Sequence, residues 1–301
     1  MGVSFCGLHP TFVAAVSGVD LTKPLEPHEV TAIEAGMDRY AVLVCPNQRL
    51  TDDEQIAFSS NFGEIQSEVG GSILKPHELR LNIVFADISN LDVDGKRLAR
   101  TDRRRLFGLS NQLWHSDSSF RPNPAKYSML SGRVVPPRGG NTEFADMRAA
   151  YDALDASTKS EIEDLICEHC LLYSRGLMGF TEFTPEERAA FGVVRQRLVR
   201  THPVTGRKSL FLSSHAGGIV GWPMPEARVF IRDLTDHATQ REFVYSHKWR
   251  QYDLVMYDNR QTMHRARRYD DMNEVRDMRR TSIVGDGSTV EQPAKASLGS
   301  A

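Results

Sequence analysis

The sequence predicts a mainly β protein with flanking helices, an α+β chain whose strands after residue 110 suit a jelly roll. Three observations predict it. Segments of strand length, the apolar runs 40–45 and 253–257 and the stretch 127–135, each end at prolines or a polar turn. Helical patterns lie between them, at 29–37 and 225–237, where apolar residues recur every three or four positions. A chain of 301 residues with 40% hydrophobic content can bury a full core, and all-β barrels and sandwiches of this length commonly form one domain.

Taken in order, residues 12–16 and 18–21 read as a strand, a turn and a second strand. Pro24 and Pro27 then precede a helix carrying Val30, Ile33 and Met37, and 40–45 is a buried strand. Thr51 or Asp52 caps a helix that ends at Gly63. From 64 to 105 the pattern breaks around a basic cluster (Arg97, Arg100, Arg103, Arg104, Arg105), which reads as a long loop or lid.

After the 127–135 strand, Gly139 and Gly140 turn the chain into a strand at 141–145. Asp146 caps a helix to Leu154, and 157–166 forms another that ends near Cys167 and Cys170. Residues 171–196 read as irregular, with Tyr173, Met178, Phe180, Phe183 and Phe191 offering an apolar wall. A hairpin spans 198–212, a helix 225–237, and strands 242–249 and 253–257. One domain is expected over 1–285, followed by a disordered tail at 286–301, rich in Gly, Ser, Ala and Pro.

A formal net charge of -2 gives no reason to expect nucleic acid as a partner. The four cysteines are too few and too irregular for a disulfide framework, and no second pair completes a zinc site with Cys167 and Cys170. The N-terminus has no basic start followed by an apolar core, and no uncharged run approaches the ~20 residues that span a bilayer. These features predict a cytoplasmic protein with no membrane partner. They leave a homo-oligomer open.

The chemistry concentrates in residues 111–120, where His115 and Asp117 stand two apart in a run poor in charge. Alternate residues of an extended strand point to one side, so both could meet one metal ion. His264, just after the 253–257 strand, supplies a second imidazole. Two histidines and one carboxylate on one face of a metal leave the other face open, as non-haem Fe(II) oxygenases require. Downstream, Arg276, Met278 and Arg280 would share one face of a strand, and two guanidiniums there are natural carboxylate clamps. A slip of one residue would turn Arg279 inward instead. His202 and His215 lack a carboxylate at ligand spacing and read as structural or supporting residues.

The chain resembles the taurine dioxygenase family of α-ketoglutarate-dependent oxygenases, and more closely its 2,4-dichlorophenoxyacetate dioxygenase branch. The matching stretches are 111–120, 139–154, 237–245 and 258–264, spread over most of the chain. The resemblance implies a double-stranded β-helix fold, Fe(II) held by His115, Asp117 and His264, and α-ketoglutarate and O2 as cosubstrates. It implies that Arg276 and Thr142 bind the α-ketoglutarate carboxylate, that Arg280 binds the anionic group of a small-molecule carboxylate substrate, and that a loop containing Lys96 contacts that substrate. If the substrate is an aryloxyacetate such as 2,4-dichlorophenoxyacetate, hydroxylation next to the ether oxygen gives a phenol and glyoxylate, with succinate and CO2 from the cosubstrate.

Three alternatives remain at this level. A sulfonate or alkyl-sulfate dioxygenase would use the same iron and cosubstrate. A zinc hydrolase could use the same three ligands but leaves the arginines unexplained. A non-catalytic barrel binding small acids would not depend on His115 or Asp117.

Overall fold

The computed structural model describes residues 2–67, 73 and 78–291. In chain order the strands are β1 (Ser4–Gly7), β2 (Val13–Ser17), β3 (Val42–Cys45), β4 (Ala86–Ser89), β5 (Tyr127–Val134), β6 (Thr142–Asp146), β7 (Ile166–His169), β8 (Val194–Arg197), β9 (Val199–Thr201), β10 (Lys208–Leu210), β11 (Ala216–Ile219), β12 (Val244–His247), β13 (Leu254–Asp258), β14 (Thr262–Ala266) and β15 (Asp277–Ser282). The helices are α1 (Pro27–Tyr40), α2 (Asp52–Ser60), α3 (Arg103–Gly108), α4 (Met147–Ala153), α5 (Ala156–Ile162), α6 (Leu171–Leu177), α7 (Pro185–Ala190) and α8 (Met224–Ala238).

A seven-stranded sheet in the order β1-β2-β3-β13-β5-β15-β4 faces a three-stranded sheet β12-β6-β14. The two form the jelly-roll core. Strand alternation explains how the layers are glued. Along β13, Val255 and Tyr257 enter the cluster between the sheets with Phe144 of β6 and Met278 of β15. Leu254 and Met256 point the other way, onto Met37 of α1 and Phe58 of α2. Beyond the smaller sheet, Ala145 and Met263 pack on Met147 of α4 and Ile231 of α8. Each layer is thus apolar on the face its neighbour covers.

Several sequence expectations need correction. The partner of β2 is β1 upstream, paired Ser4 with Ser17, and residues 19–21 form no strand. The helix expected over 157–166 stops at Ile162, and Cys167 lies on β7, paired with both β8 and β11. Pairing on two sides outweighs the helical spacing there. Residues 171–196 hold α6, α7 and β8, with α7 opened by a capping box between Thr184 and Glu187.

The loop expected over 64–105 contains β4, which closes the edge of the larger sheet on β15. Arg80 clamps this edge with bonds to Asp87 at 2.8 Å and Asp277 at 2.7 Å. Residues 68–72 and 74–77 of that loop lie outside the described residues. Residues 286–291, expected in a disordered tail, are tied to the fold: Asp286 pairs with Arg260 at 2.9 Å, and buried Thr289 donates to Gln196 at 2.6 Å. Positions 292–301 lie outside the described residues. Among those described, no helix is long and apolar enough to cross a membrane.

Candidate active site

His115 is not on a long strand. It forms an isolated antiparallel bridge with His264 of β14, after which the chain turns through Ser118 at a left-handed φ of 56°. The bridge carries His115 N–H to His264 O at 2.9 Å and the reverse bond at 2.8 Å. His115 Nδ1 lies 2.8 Å from the Leu113 carbonyl, to which it donates, and this leaves Nε2 as the lone-pair nitrogen facing Asp117 Oδ1 at 3.8 Å. His264 Nε2 faces the same oxygen at 3.7 Å.

Asp117 is held from several sides. Asn259 Oδ1 accepts its backbone N–H at 3.0 Å. Ser128 Oγ and Tyr257 OH each donate to Oδ2 at 2.8 Å, and Arg280 Nη1 donates to Oδ1. The oxygen facing the two imidazoles is therefore distinct from the one that carries the hydroxyl bonds. Burial alone would raise the Asp117 pKa, but Arg280 and the two histidines hold it below the usual carboxylate range. Burial pushes His264 down to about 3 and lowers His115 as well. An ionised carboxylate and two neutral imidazoles are the forms that ligate a metal.

Ligand atoms of His115, Asp117 and His264 all lie within 4.8 Å of one another, and all three residues are buried. An N,N,O donor set of this kind fits Fe(II) with an open face. His115 and Asp117 line a cavity of about 1010 Å³. A narrow recess continues from it, bounded by His115, His264, Thr142, Arg276 and Arg280.

Arg276 stands just before β15, whose pairing with β5 shifts register between Asp277 and Met278. Arg276 and Arg280 face the cavity, while Arg279 turns to the other side of the sheet and pairs with Asp52 at the start of α2. Arg276 is 5% exposed, and burial pushes its guanidinium down to about 10. Thr142 Oγ1 accepts a 2.9 Å bond from Trp249 Nε1, which fixes the hydroxyl beside the recess.

Lys96 does not reach the site. It is exposed in a turn anchored by its own backbone N–H to Asp92 at 2.8 Å, and it is not among the residues lining the cavity. A four-carbon ammonium chain is more favourably hydrated there than buried. The expected aromatic wall from 171–196 is also displaced: Phe180 meets Phe107 edge-to-face with Phe183 beyond it, and the aromatic lining comes from Phe85, Phe107, Phe120 and Tyr269. His202 bonds Asp258 at 3.3 Å, away from the triad. His215 lines the cavity with its ring 6.3 Å from that of His115.

Sequence reasoning missed Tyr257, Ser128 and Asn259 as supports of Asp117. Tyr257 carried a usable signal, since it lies on a buried strand seven residues before His264.

A jelly roll with two histidines, one aspartate and a recess ending in a buried arginine defines a mononuclear metal oxygenase that uses a 2-oxo acid as cosubstrate. The chain belongs to the taurine catabolism dioxygenase TauD, TfdA family, whose match covers residues 5–282. It is 48% identical over 283 residues to the alpha-ketoglutarate-dependent 2,4-dichlorophenoxyacetate dioxygenase of Cupriavidus pinatubonensis, covering 93% of this chain and 96% of that one. It is 37% identical to the (S)-phenoxypropionate/alpha-ketoglutarate-dioxygenase of Sphingobium herbicidovorans, covering 93% and 94% of the two chains. The crystal structure of AAD-2 in complex with Mn(II) and N-oxalylglycine superimposes with a TM-score of 0.94 at 59% identity, covering 96% of this chain and 100% of that one.

Proposed function

We propose that this chain is an Fe(II)- and α-ketoglutarate-dependent dioxygenase that hydroxylates an aryloxyacetate, such as 2,4-dichlorophenoxyacetate, at the carbon next to the ether oxygen. The resulting hemiacetal collapses to a phenol and glyoxylate, while the cosubstrate leaves as succinate and CO2. The observation that carries this reading is the buried His115, Asp117 and His264 cluster where the cavity meets its recess, with the carboxylate-free guanidinium of Arg276 lining both. Relatives of nearly full length that act on phenoxy acids support the substrate class.

Bound Fe(II) would supply the oxidising chemistry, held by His115, Asp117 and His264. The remaining work falls to the protein. Ser128 and Tyr257 keep Asp117 Oδ2 occupied, so that Oδ1 stays turned toward the imidazoles. Arg276 binds the distal carboxylate of α-ketoglutarate as a planar fork, and Thr142, steadied by Trp249, donates to the same group. Arg280, in contact with Asp117 Oδ1, keeps that carboxylate ionised at the edge of the cavity. Phe85, Phe107 and Phe120 give an aromatic ring an apolar surface that excludes water. Four free thiols fit a reducing, cytoplasmic compartment.

Anaerobic addition of Fe(II) and α-ketoglutarate should produce the visible metal-to-ligand absorption band. Succinate release should then respond to phenoxyacetates more than to taurine or alkyl sulfates. Turnover without O2 or α-ketoglutarate, or a stronger response to the sulfur compounds, would overturn the reading.

A further inference from the structure

The cavity holds a second buried guanidinium that the sequence motifs do not predict. Arg175, on the short helix α6, lines the cavity and is only 7% exposed. Its polar contact is a 3.2 Å bond from Nη1 to the hydroxyl of the adjacent Ser174, and its Nε has no hydrogen-bond partner among the described residues. The guanidinium carbon sits 4.2 Å from the centre of the Phe107 ring. An aromatic face orients such a group but does not neutralise it.

The other cavity arginines sharpen the contrast. Arg80, Arg104, Arg105 and Arg280 each meet a carboxylate, and among the described residues only Arg175 and Arg276 of the shielded ones do not. Burial without a counter-charge pushes Arg175 down to about 9. A buried cation left unpaired beside a cavity is costly unless an anion arrives to pair with it. The proposed reaction brings two organic anions to this cavity, the distal carboxylate of α-ketoglutarate and the carboxylate of the substrate. Arg276, in the recess beside Thr142, suits the first.

We propose that Arg175 binds the carboxylate of the aryloxyacetate substrate, with Phe107 holding the guanidinium in place. This deepens the dioxygenase reading and rests on it for the identity of the substrate. Arg280 already shares its charge with Asp117, whereas Arg175 has no carboxylate partner among the described residues. Arg175 therefore decides whether the cavity prefers an acid to its neutral analogue.

The test is calorimetric binding of phenoxyacetate and of phenoxyacetamide to the anaerobic protein loaded with Fe(II) and α-ketoglutarate, for the unaltered chain, Arg175→Gln and Arg175→Lys. Steady-state KM values for both phenoxyacetate and α-ketoglutarate accompany it. Arg175→Gln should weaken phenoxyacetate by about 10- to 100-fold, the cost of one charge-assisted hydrogen bond, and abolish the preference for the acid over the amide. The KM for α-ketoglutarate should stay within about twofold, and Arg175→Lys should recover part of the preference because it keeps the charge.

An unchanged acid-to-amide preference in Arg175→Gln overturns the proposal, as does a rise confined to the KM for α-ketoglutarate. The visible band separates the two claims. A band in the unaltered chain with no Arg175 effect on phenoxyacetate leaves the dioxygenase reading standing and removes this one. Arg175-dependent phenoxyacetate binding without any band does the reverse.

Discussion

His115 and His264, 149 positions apart in the chain, face each other across an isolated bridge with reciprocal backbone hydrogen bonds of 2.9 and 2.8 Å and ring centres 4.2 Å apart. The backbone pairing brings the two imidazoles together whether or not a metal is bound. Replacing His264 by Ala should therefore leave the fold intact while removing a ligand. Turnover should fall by more than the ~10–100-fold typical of losing a supporting partner, and the visible band with Fe(II) and α-ketoglutarate should be lost. Retention of the full band would refute the ligand assignment.

Tyr257→Phe deletes one of the two donors to Asp117 Oδ2 and leaves Ser128 in place. Fe(II) affinity should drop by about tenfold or somewhat more, with a stability loss of about 1 kcal/mol. A metal titration followed by thermal unfolding reads both. Unaltered affinity would mean that Ser128 orients the carboxylate alone.

Arg276→Gln should raise the KM for α-ketoglutarate by about 10- to 100-fold, because a buried fork is replaced by a neutral amide. The KM for phenoxyacetate should change little. Equal rises in both would show that Arg276 does not distinguish cosubstrate from substrate.

Arg80 ties β4 to β15 through two carboxylates whose side chains are 20% and 8% exposed. Arg80→Ala leaves Asp87 and Asp277 facing one another without their shared cation and should cost about 3 kcal/mol. Urea unfolding measures this. A loss below about 0.5 kcal/mol would put the clamp in the class of ordinary surface pairs.

His169 is buried, with Nδ1 3.1 Å from Ser119 Oγ, and burial pushes its pKa from 6.5 down to about 3. In the unfolded chain the same imidazole takes up a proton below pH 6.5. The folded chain then binds fewer protons, so stability contributed by this residue is present above pH 6.5 and falls as the pH drops toward 3. The slope should approach about 1.4 kcal/mol per pH unit from this group alone. Thermal unfolding of the unaltered chain and of His169→Gln between pH 7 and 5 checks it, and the variant should lose less stability over that range.

Much of the larger sheet was legible because β3 and β13 are largely apolar runs of strand length and β5 stops before Pro136 and Pro137. The strand at β7 was not, since four residues leading out of α5 keep a helical spacing and only the neighbours β8 and β11 convert them. The site divides in the same way. His115, Asp117 and His264 could be picked out by residue type and spacing, and Arg276 and Arg280 by strand alternation. Lys96 was misplaced because its surroundings lie in a turn whose direction no local pattern specifies.

By itself the sequence determined the candidate metal-binding side chains, the apolar strands and the shared face of Arg276 and Arg280. These follow from period-two alternation and from what each side chain can coordinate, which are properties of short stretches. Only the tertiary structure decided which guanidiniums keep an unneutralised charge. Arg280 meets Asp117 from 163 positions away, Arg105 meets Asp271 from 166, and Arg175 meets no carboxylate among the described residues. A charge buried in a cavity is defined by what folding brings within a few ångströms of it, and chain separation carries no record of that.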